Sequence, residues 1–190
     1  QGVKKLFPGN YLTFNIDTGN LKIDKFWSLD YFKDNQYCCD SRYLQNLVGS
    51  SVKYRMISDV PVGVLLSGGL DSSIIAFLMS QFSSLPIKTF SLGFNLDLDE
   101  TKDARKIAQF IHSDHTEIFV EPQDYELLPK VISYFDEPIG DIIILQTYLL
   151  AKAVVQRVKV VLTGEGADEI FAGYIHQQLF YYLYRYWNKL

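Results

Sequence analysis

In Val62-Gly63-Val64-Leu65-Leu66-Ser67-Gly68-Gly69-Leu70-Asp71-Ser72-Ser73 an apolar run stops at a serine and two glycines, and a helical pattern takes over at once. A short apolar run bounded by glycine reads as a buried strand, here Val62 to Leu66. Ile74, Ile75, Leu78, Met79 and Phe82 then supply one face of a helix. The same alternation continues downstream. Thr89 to Phe94, Thr116 to Val120 and Lys159 to Thr163 read as further strands. Ala104, Ile107, Ala108 and Ile111 form a second helix face, and Tyr125 to Phe135 and Leu145 to Val155 have helical patterns. Strands alternating with helices predict an α/β fold, a parallel sheet with helices on both faces.

Upstream the texture differs. Residues 9 to 27 read as a β-hairpin, with Tyr11, Thr13 and Asn15 alternating with Leu12, Phe14 and Ile16 before an Asp17-Thr18-Gly19-Asn20 turn. A tyrosine-rich, acidic linker follows at about Tyr31 to Asp40, and Ser41 is expected to cap a helix through Leu44, Leu47, Val48 and Val52. The expected division is a hairpin plus linker over 1–35 and the α/β domain over 36–190. At the far end Leu179, Tyr182, Leu183, Tyr186 and Trp187 make an amphipathic stripe with no partner in the chain. The expectation is a piece of something longer, incomplete at both ends, with the bare stripe consistent with a homo-oligomer.

The 190 residues carry 18 Lys and Arg against 22 Asp and Glu, a net charge of −4. That balance leaves no basic footprint for nucleic acid. With 48% hydrophobic and 21% charged residues, disorder is not expected. No apolar run approaches the roughly 18 residues of a membrane span, and no membrane partner is expected. Cys38 and Cys39 are adjacent, a poor geometry for a disulfide and no metal spacing, which points to a reducing, cytoplasmic setting.

Ligands of a parallel sheet sit beyond the carboxyl ends of its strands. Two of those ends carry unusual residues. After Leu66, Gly68 and Gly69 permit torsions and close approaches that a Cβ blocks, and the helix start leaves N–H groups unpaired. Ser67, Ser72 and Ser73 add hydroxyls, giving an anion site of phosphate size. The loop is neither a Walker A sequence nor a G-x-G-x-x-G fingerprint. Asp71 would repel bare phosphate, a conflict that Mg²⁺ bound between carboxylate and phosphate removes. After the last strand, Thr163-Gly164-Glu165-Gly166-Ala167-Asp168-Glu169 packs three carboxylates into five residues. Asp168 is a candidate second Mg²⁺ ligand facing Asp71, and Glu165 a candidate proton acceptor. The plainer reading is an acidic helix start in which Asp168 and Glu169 favour the dipole.

Ser67 to Ser72 resembles the PP-loop of the ATP pyrophosphatases. Leu66 to Ser73 together with Thr163-Gly164-Glu165-Gly166-Ala167-Asp168-Glu169-Ile170-Phe171-Ala172-Gly173-Tyr174 resembles the synthetase domain of the glutamine-hydrolysing asparagine synthetases. Phe135-Asp136-Glu137-Pro138 and Thr147-Tyr148-Leu149-Leu150 fit the same pattern, and Leu6 to Tyr11 with Phe26-Trp27 looks like the closing strands of that family's glutaminase domain. β-Lactam synthetases share the architecture but typically lack the residue at Glu165. The resemblance implies ATP and aspartate as substrates, formation of β-aspartyl-AMP with loss of pyrophosphate, and attack by ammonia. It implies that Ser67, Gly68, Gly69, Asp71 and Ser72 hold pyrophosphate and that Asp71 and Asp168 carry Mg²⁺. Leu66, Leu92, Thr163 and Gly164 would line the adenosine pocket, largely through backbone groups, and Glu165 and Asp168 would act in catalysis. The family's glutaminase needs an amino-terminal cysteine, where this chain has Gln1, so the ammonia is expected from a glutaminase not encoded here. Lys189 is not expected to replace the lysine that the family supplies further on. The alternatives are another PP-loop amide ligase or a non-catalytic nucleotide-binding fragment.

Other polar groups read more plainly. His112 and His115, spaced three apart beside Asp114, fit a polar turn better than a metal pair. His176 reads as a helix-end or surface histidine. Asp97, Asp99 and Glu100 do not complete a calcium loop and are expected to cap the helix near Thr101, at the edge of the nucleotide site. The 13 tyrosines and 13 phenylalanines are expected in core and interfaces.

Overall fold

The computed structural model describes residues 2–28, 40–94, 99–137, 139–141 and 143–187. Cys38, Cys39, Asp97, Pro138, Lys189 and most of the 31–40 linker lie outside the described residues. The chain divides into two compact units, Gln1–Leu44 and Gln45–Leu190.

The first unit is a hairpin of β1 (Asn10–Phe14) and β2 (Leu21–Lys25), antiparallel with Leu12 opposite Ile23 and Phe14 opposite Leu21. The expected alternation therefore gathers Leu12, Phe14, Leu21 and Ile23 on one face, while Thr13 opposite Lys22 and Tyr11 opposite Asp24 occupy the other. All four apolar residues are exposed. The turn uses Gly19 at φ +68°, with the Gly19 amide donating to the Asn15 carbonyl at 2.9 Å.

The second unit holds the four-stranded sheet. Helix α1 (Ser41–Arg55) leads in. Its cap is Asp40 rather than the expected Ser41: the Asp40 carboxylate accepts from the Arg42 amide at 3.2 Å, and Ser41 already lies inside the helix. Then come β3 (Val62–Leu65), α2 (Leu70–Phe82), β4 (Lys88–Gly93), α3 (Thr101–Phe110) and β5 (Asp114–Phe119). A 3-10 turn (Pro122–Leu127) runs into the short α4 (Leu128–Ile132), where one helix over 125–135 was expected. Pro122 and Pro129 each sit at a helix start, so the segment breaks into two short pieces. Helix α5 (Ile143–Val154), β6 (Val160–Leu162), α6 (Ala167–Phe171) and α7 (Ile175–Trp187) complete the unit. Among the described residues no helix is long and apolar enough to cross a membrane.

The sheet is parallel throughout, in the order β5-β4-β3-β6. Val64 and Leu66 on one face pack with Val52 of α1, Ala76 and Met79 of α2, and Ala104 and Ala108 of α3. Phe90 on the other face packs with Val154 and Val158, beside the cluster of Val131, Leu145 and Leu149. Helix α2 buries Ser72, Ala76 and Met79, while Ile74 and Phe82 of the expected face stay exposed. This helix is apolar nearly all round, so periodicity does not mark the inward side, and the sheet takes the stripe with the small Ala76. Helix α7 keeps its aromatic stripe exposed, with no buried residue.

A polar chain crosses the first sheet face. Buried Thr89 Oγ1 bonds the His115 ring at Nδ1 and Ser113 Oγ, both at 2.8 Å, and Glu117 takes a two-pronged bond from Arg105 at 2.8 and 2.7 Å. His112 sits exposed at the end of α3 with φ +53°, in the expected polar turn, whereas His115 lies within β5 on the sheet face rather than in that turn. Burial pushes the His115 ring below its ordinary pKa, outweighing the pull of Glu117.

Two outcomes follow from this packing. A Cβ at Gly63 would lie 2.9 Å from the Phe90 ring and 3.1 Å from the Lys88 carbonyl. Gly63→Ala is therefore expected to cost about 1–3 kcal/mol in urea unfolding, as overpacking does. Because the unfolded chain takes up a proton that folded His115 resists, stability is full above the unfolded value of about 6.5 and declines as pH falls below it. Urea midpoints between about pH 7.5 and 5.5 should show that decline, and His115→Gln should flatten it.

Candidate functional site

The order β5-β4-β3-β6 puts a switch in winding direction between β3 and β6. From β3 the chain moves to β4 and β5 through α2 and α3 on one face; it returns to β6 through α5 on the other. The crevice beyond the strand tips opens at such a point. Val62, Gly63 and Val64 of β3 pair with Val160, Val161 and Leu162 of β6, so the two unusual loops leave the sheet side by side.

The first loop is held by its own serines. Ser72 is buried, and its Oγ bonds Ser67 Oγ at 3.0 Å and accepts from the Ser67 amide at 3.2 Å. Ser67 Oγ accepts from the Gly69 amide at 3.2 Å, and Ser73 Oγ donates to the Gly69 carbonyl at 2.6 Å. Gly68 has φ +86°, a conformation that favours glycine, and a Cβ there would fall 2.7 Å from the Ala104 amide nitrogen. The loop is thereby clasped between the first turns of α2 and α3. Leu66 turns its side chain into the core and gives its amide to the Phe90 carbonyl at 2.7 Å. Leu92 packs its side chain against the second core cluster. Whatever these two offer at the strand tips comes from backbone.

The second loop is seated on the first. A Cβ at Gly164 would lie 2.9 Å from the Ser72 amide nitrogen and 3.1 Å from Asp71 Cβ. Thr163-Gly164 thus runs directly over the start of α2 where the half-buried Asp71 sits. Gly166, at φ +91°, turns the chain into α6, and Ala172, at φ +55°, turns it out again. The Gly173 amide then donates to the Asp168 carbonyl at 3.0 Å, and the Asp168 carboxylate lies against the Gly173 Cα, where a Cβ would overlap it. Tyr174 donates its hydroxyl to Glu169 at 2.8 Å. That bond, then burial and the charges of Glu169, Asp168 and Glu165, hold the Tyr174 hydroxyl above the usual tyrosine range. Only Glu169 of the three carboxylates is hydrogen-bonded to this phenol.

At the neighbouring tip, Asp99 accepts from the Phe94 amide at 2.6 Å and the Thr101 amide at 3.2 Å, so it caps α3 as expected. Among the described residues no three His, Cys, Asp or Glu side chains gather into a ready metal cage. The candidate ligands Asp71 and Asp168 sit in the first turns of α2 and α6, and Glu165 is exposed. Sequence reasoning did not single out Gly173 or Tyr174 by chemistry. The available signal was the turn after α6, since Gly-Tyr follows the acidic run at hydrogen-bonding distance.

The asparagine synthase family matches residues 43–189. A candidate glutamine-hydrolyzing asparagine synthetase of Methanocaldococcus jannaschii is 36% identical over 177 residues, 90% of this chain and 34% of that protein. The glutamine-hydrolyzing asparagine synthetase 1 of Bacillus subtilis is 36% identical over 176 residues, 90% of this chain and 27% of its own length. The chain thus spans about a third of the length, or somewhat less, of these curated relatives. Among solved structures, the glutamine-dependent NAD+ synthetase of Acinetobacter baumannii, determined with ADP, superposes with a TM-score of 0.53 at 16% identity over 86% of this chain and 31% of that one. At that identity the likeness speaks for the fold alone.

Gly164→Ala tests the seating of the two loops. Its Cβ meets backbone rather than a flexible side chain, so the loops must part. Calorimetric titration with Mg²⁺-pyrophosphate should show binding weakened about tenfold or more, with the far-UV spectrum unchanged.

Proposed function

The chain belongs to the asparagine synthase family, and we propose that it forms the ATP-using part of a glutamine-hydrolysing asparagine synthetase, activating the β-carboxylate of aspartate for attack by ammonia. One observation carries this reading: Gly164, at the tip of β6, is pressed onto Asp71 and Ser72 at the start of α2. An acidic loop and a serine-glycine loop then share one crevice.

In this reading the loop of Ser67, Gly68, Gly69 and Ser72, ordered by its own hydroxyl bonds, receives the β- and γ-phosphates of ATP at the unpaired amides where α2 begins. Backbone groups of Leu66, Leu92, Thr163 and Gly164 line the adenosine side. The donor set suits Mg²⁺. Two carboxylates, Asp71 and Asp168, with phosphate oxygens and water completing the shell, are the usual way that ion is held, and no all-protein cage is required. Asp71 and Asp168 would hold Mg²⁺ there, and the ion would supply positive charge to offset that of the departing pyrophosphate.

The chain's own residues do the rest. The aspartate β-carboxylate oxygen attacks the α-phosphorus, and the bond to the β-phosphate oxygen breaks. Amides at the start of α2 take up the charge on the leaving pyrophosphate. Ammonia then attacks the acyl carbon, and AMP leaves with the bonding pair. Glu165, exposed on its loop, accepts the proton that the new amide sheds. Ammonia comes from a glutaminase domain, of which the hairpin unit over 1–35 is the closing piece, with the synthetase domain over 36–190. The setting is the cytoplasm.

Aspartate-dependent exchange of labelled pyrophosphate into ATP tests the reading. Exchange is expected with Mg²⁺ and aspartate, and Asp71→Asn should reduce it by about two orders of magnitude. Exchange driven by a different carboxylic acid would indicate another amide ligase. Nucleotide binding with no exchange for any acid would indicate a non-catalytic fragment.

A further inference from the structure

We propose that Tyr174 is a positioning residue, whose hydroxyl ties Glu169 back against the turn after α6 and so leaves Asp168 and Glu165 as the working carboxylates of the acidic loop. This deepens the proposed function and rests on it.

The three carboxylates of Glu165, Asp168 and Glu169 fall within five residues and repel one another. They are not equivalent. Glu169 accepts a hydrogen bond from Tyr174 at 2.8 Å, so its charge is satisfied inside the chain. Glu165 makes no hydrogen bond or ion pair among the described residues. Asp168 is half-buried with its carboxylate against Gly173.

The geometry also explains why the partner is Tyr174. Helix α6 is only five residues long and cannot hold its own shape by backbone bonds. The left-handed Ala172 folds the chain back, and two links close the fold: the Gly173 amide to the Asp168 carbonyl, and the Tyr174 hydroxyl to Glu169. Both links end on neighbouring residues of the acidic run. The Tyr174 ring is itself fixed by stacking on His176, with centroids 5.3 Å apart and planes within 14°. Opening the Tyr174–Glu169 bond frees Glu169 to swing toward the crevice and releases the turn that holds Asp168.

The experiment compares Tyr174→Phe and Glu169→Gln with the unchanged chain, reading ATP affinity across a Mg²⁺ series and in EDTA, with thermal unfolding recorded alongside. Each variant is expected to weaken Mg²⁺-ATP binding about five- to tenfold, shifting the Mg²⁺ requirement upward while leaving affinity in EDTA unchanged. The double variant should lose no more than either single one, as expected for two ends of one interaction. A merely structural role would lower affinity with and without Mg²⁺ alike, and that result overturns the proposal. Should Tyr174→Phe fail to fold, Glu169→Gln decides by the same Mg²⁺ dependence. If the unchanged chain binds Mg²⁺-ATP and both folded variants match it, the positioning role falls and the proposed function stands. If the unchanged chain does not bind Mg²⁺-ATP, both fall together.

Discussion

Gly164 has no side chain, and the space beside it is taken by the Ser72 amide and Asp71. The rest of the crevice depends on that approach. β3 and β6 are far apart in sequence, and the chain brings them together only after two crossovers on one face and a return across the other. Parallel pairing then fixes the height at which each strand ends. Any side chain at 164 would hold the acidic loop off the start of α2. The sheet would survive, but its two loops would no longer face a common ligand. Sheet register and a missing Cβ thus do together what neither does alone.

The serine-glycine loop is prepared in a related way. Its hydroxyls are spent largely on one another: Ser67 on Ser72 and on the Gly69 amide, Ser73 on the Gly69 carbonyl. These bonds hold a loop with Gly68 in a left-handed conformation and pressed on α3. A loop already ordered does not bear that entropy again when a ligand arrives. Its cost is that no lysine supplies positive charge, and Asp71 adds a negative one. Helix amides offset only part of a phosphate's charge. The remainder is why the proposed function calls on a divalent cation, and why the neighbouring loop is acidic.

The α/β fold was legible because its strands are short apolar runs that stop at glycine or polar turns, and such runs are buried whatever lies around them. The two loops were legible for a different reason: glycines, serines and carboxylates at strand ends have no use in a core. What the sequence hid was orientation. Helix α2 is apolar nearly all round past its first turn, so Ile74 and Phe82 looked as suited to the core as Ala76 and Met79. Asp40 and Ser41 are both good caps, and only the backbone shows which one precedes the helix. Tyr174 passed as one aromatic among many because its role comes from a bond to Glu169 and a turn at Ala172, and neither leaves a periodic mark.

The two ends of the sheet are built on opposite terms. At the amino ends of the strands, charge is cancelled where it stands: Arg157 binds Asp114 at 2.7 Å and Thr116 at 2.8 Å, and Lys88 caps the Arg157 carbonyl at 3.1 Å. Along the first face, Arg105 does the same for Glu117 and holds its carboxyl below the usual range. At the carboxyl ends, by contrast, Asp71, Glu165 and Asp168 have no cation from the chain among the described residues. In the proposed function that second end receives a charge that arrives from outside. Stability and the proposed function thus occupy different ends of the same strands, and the short return through Gly173 and Tyr174 ties back the acidic run at the second end.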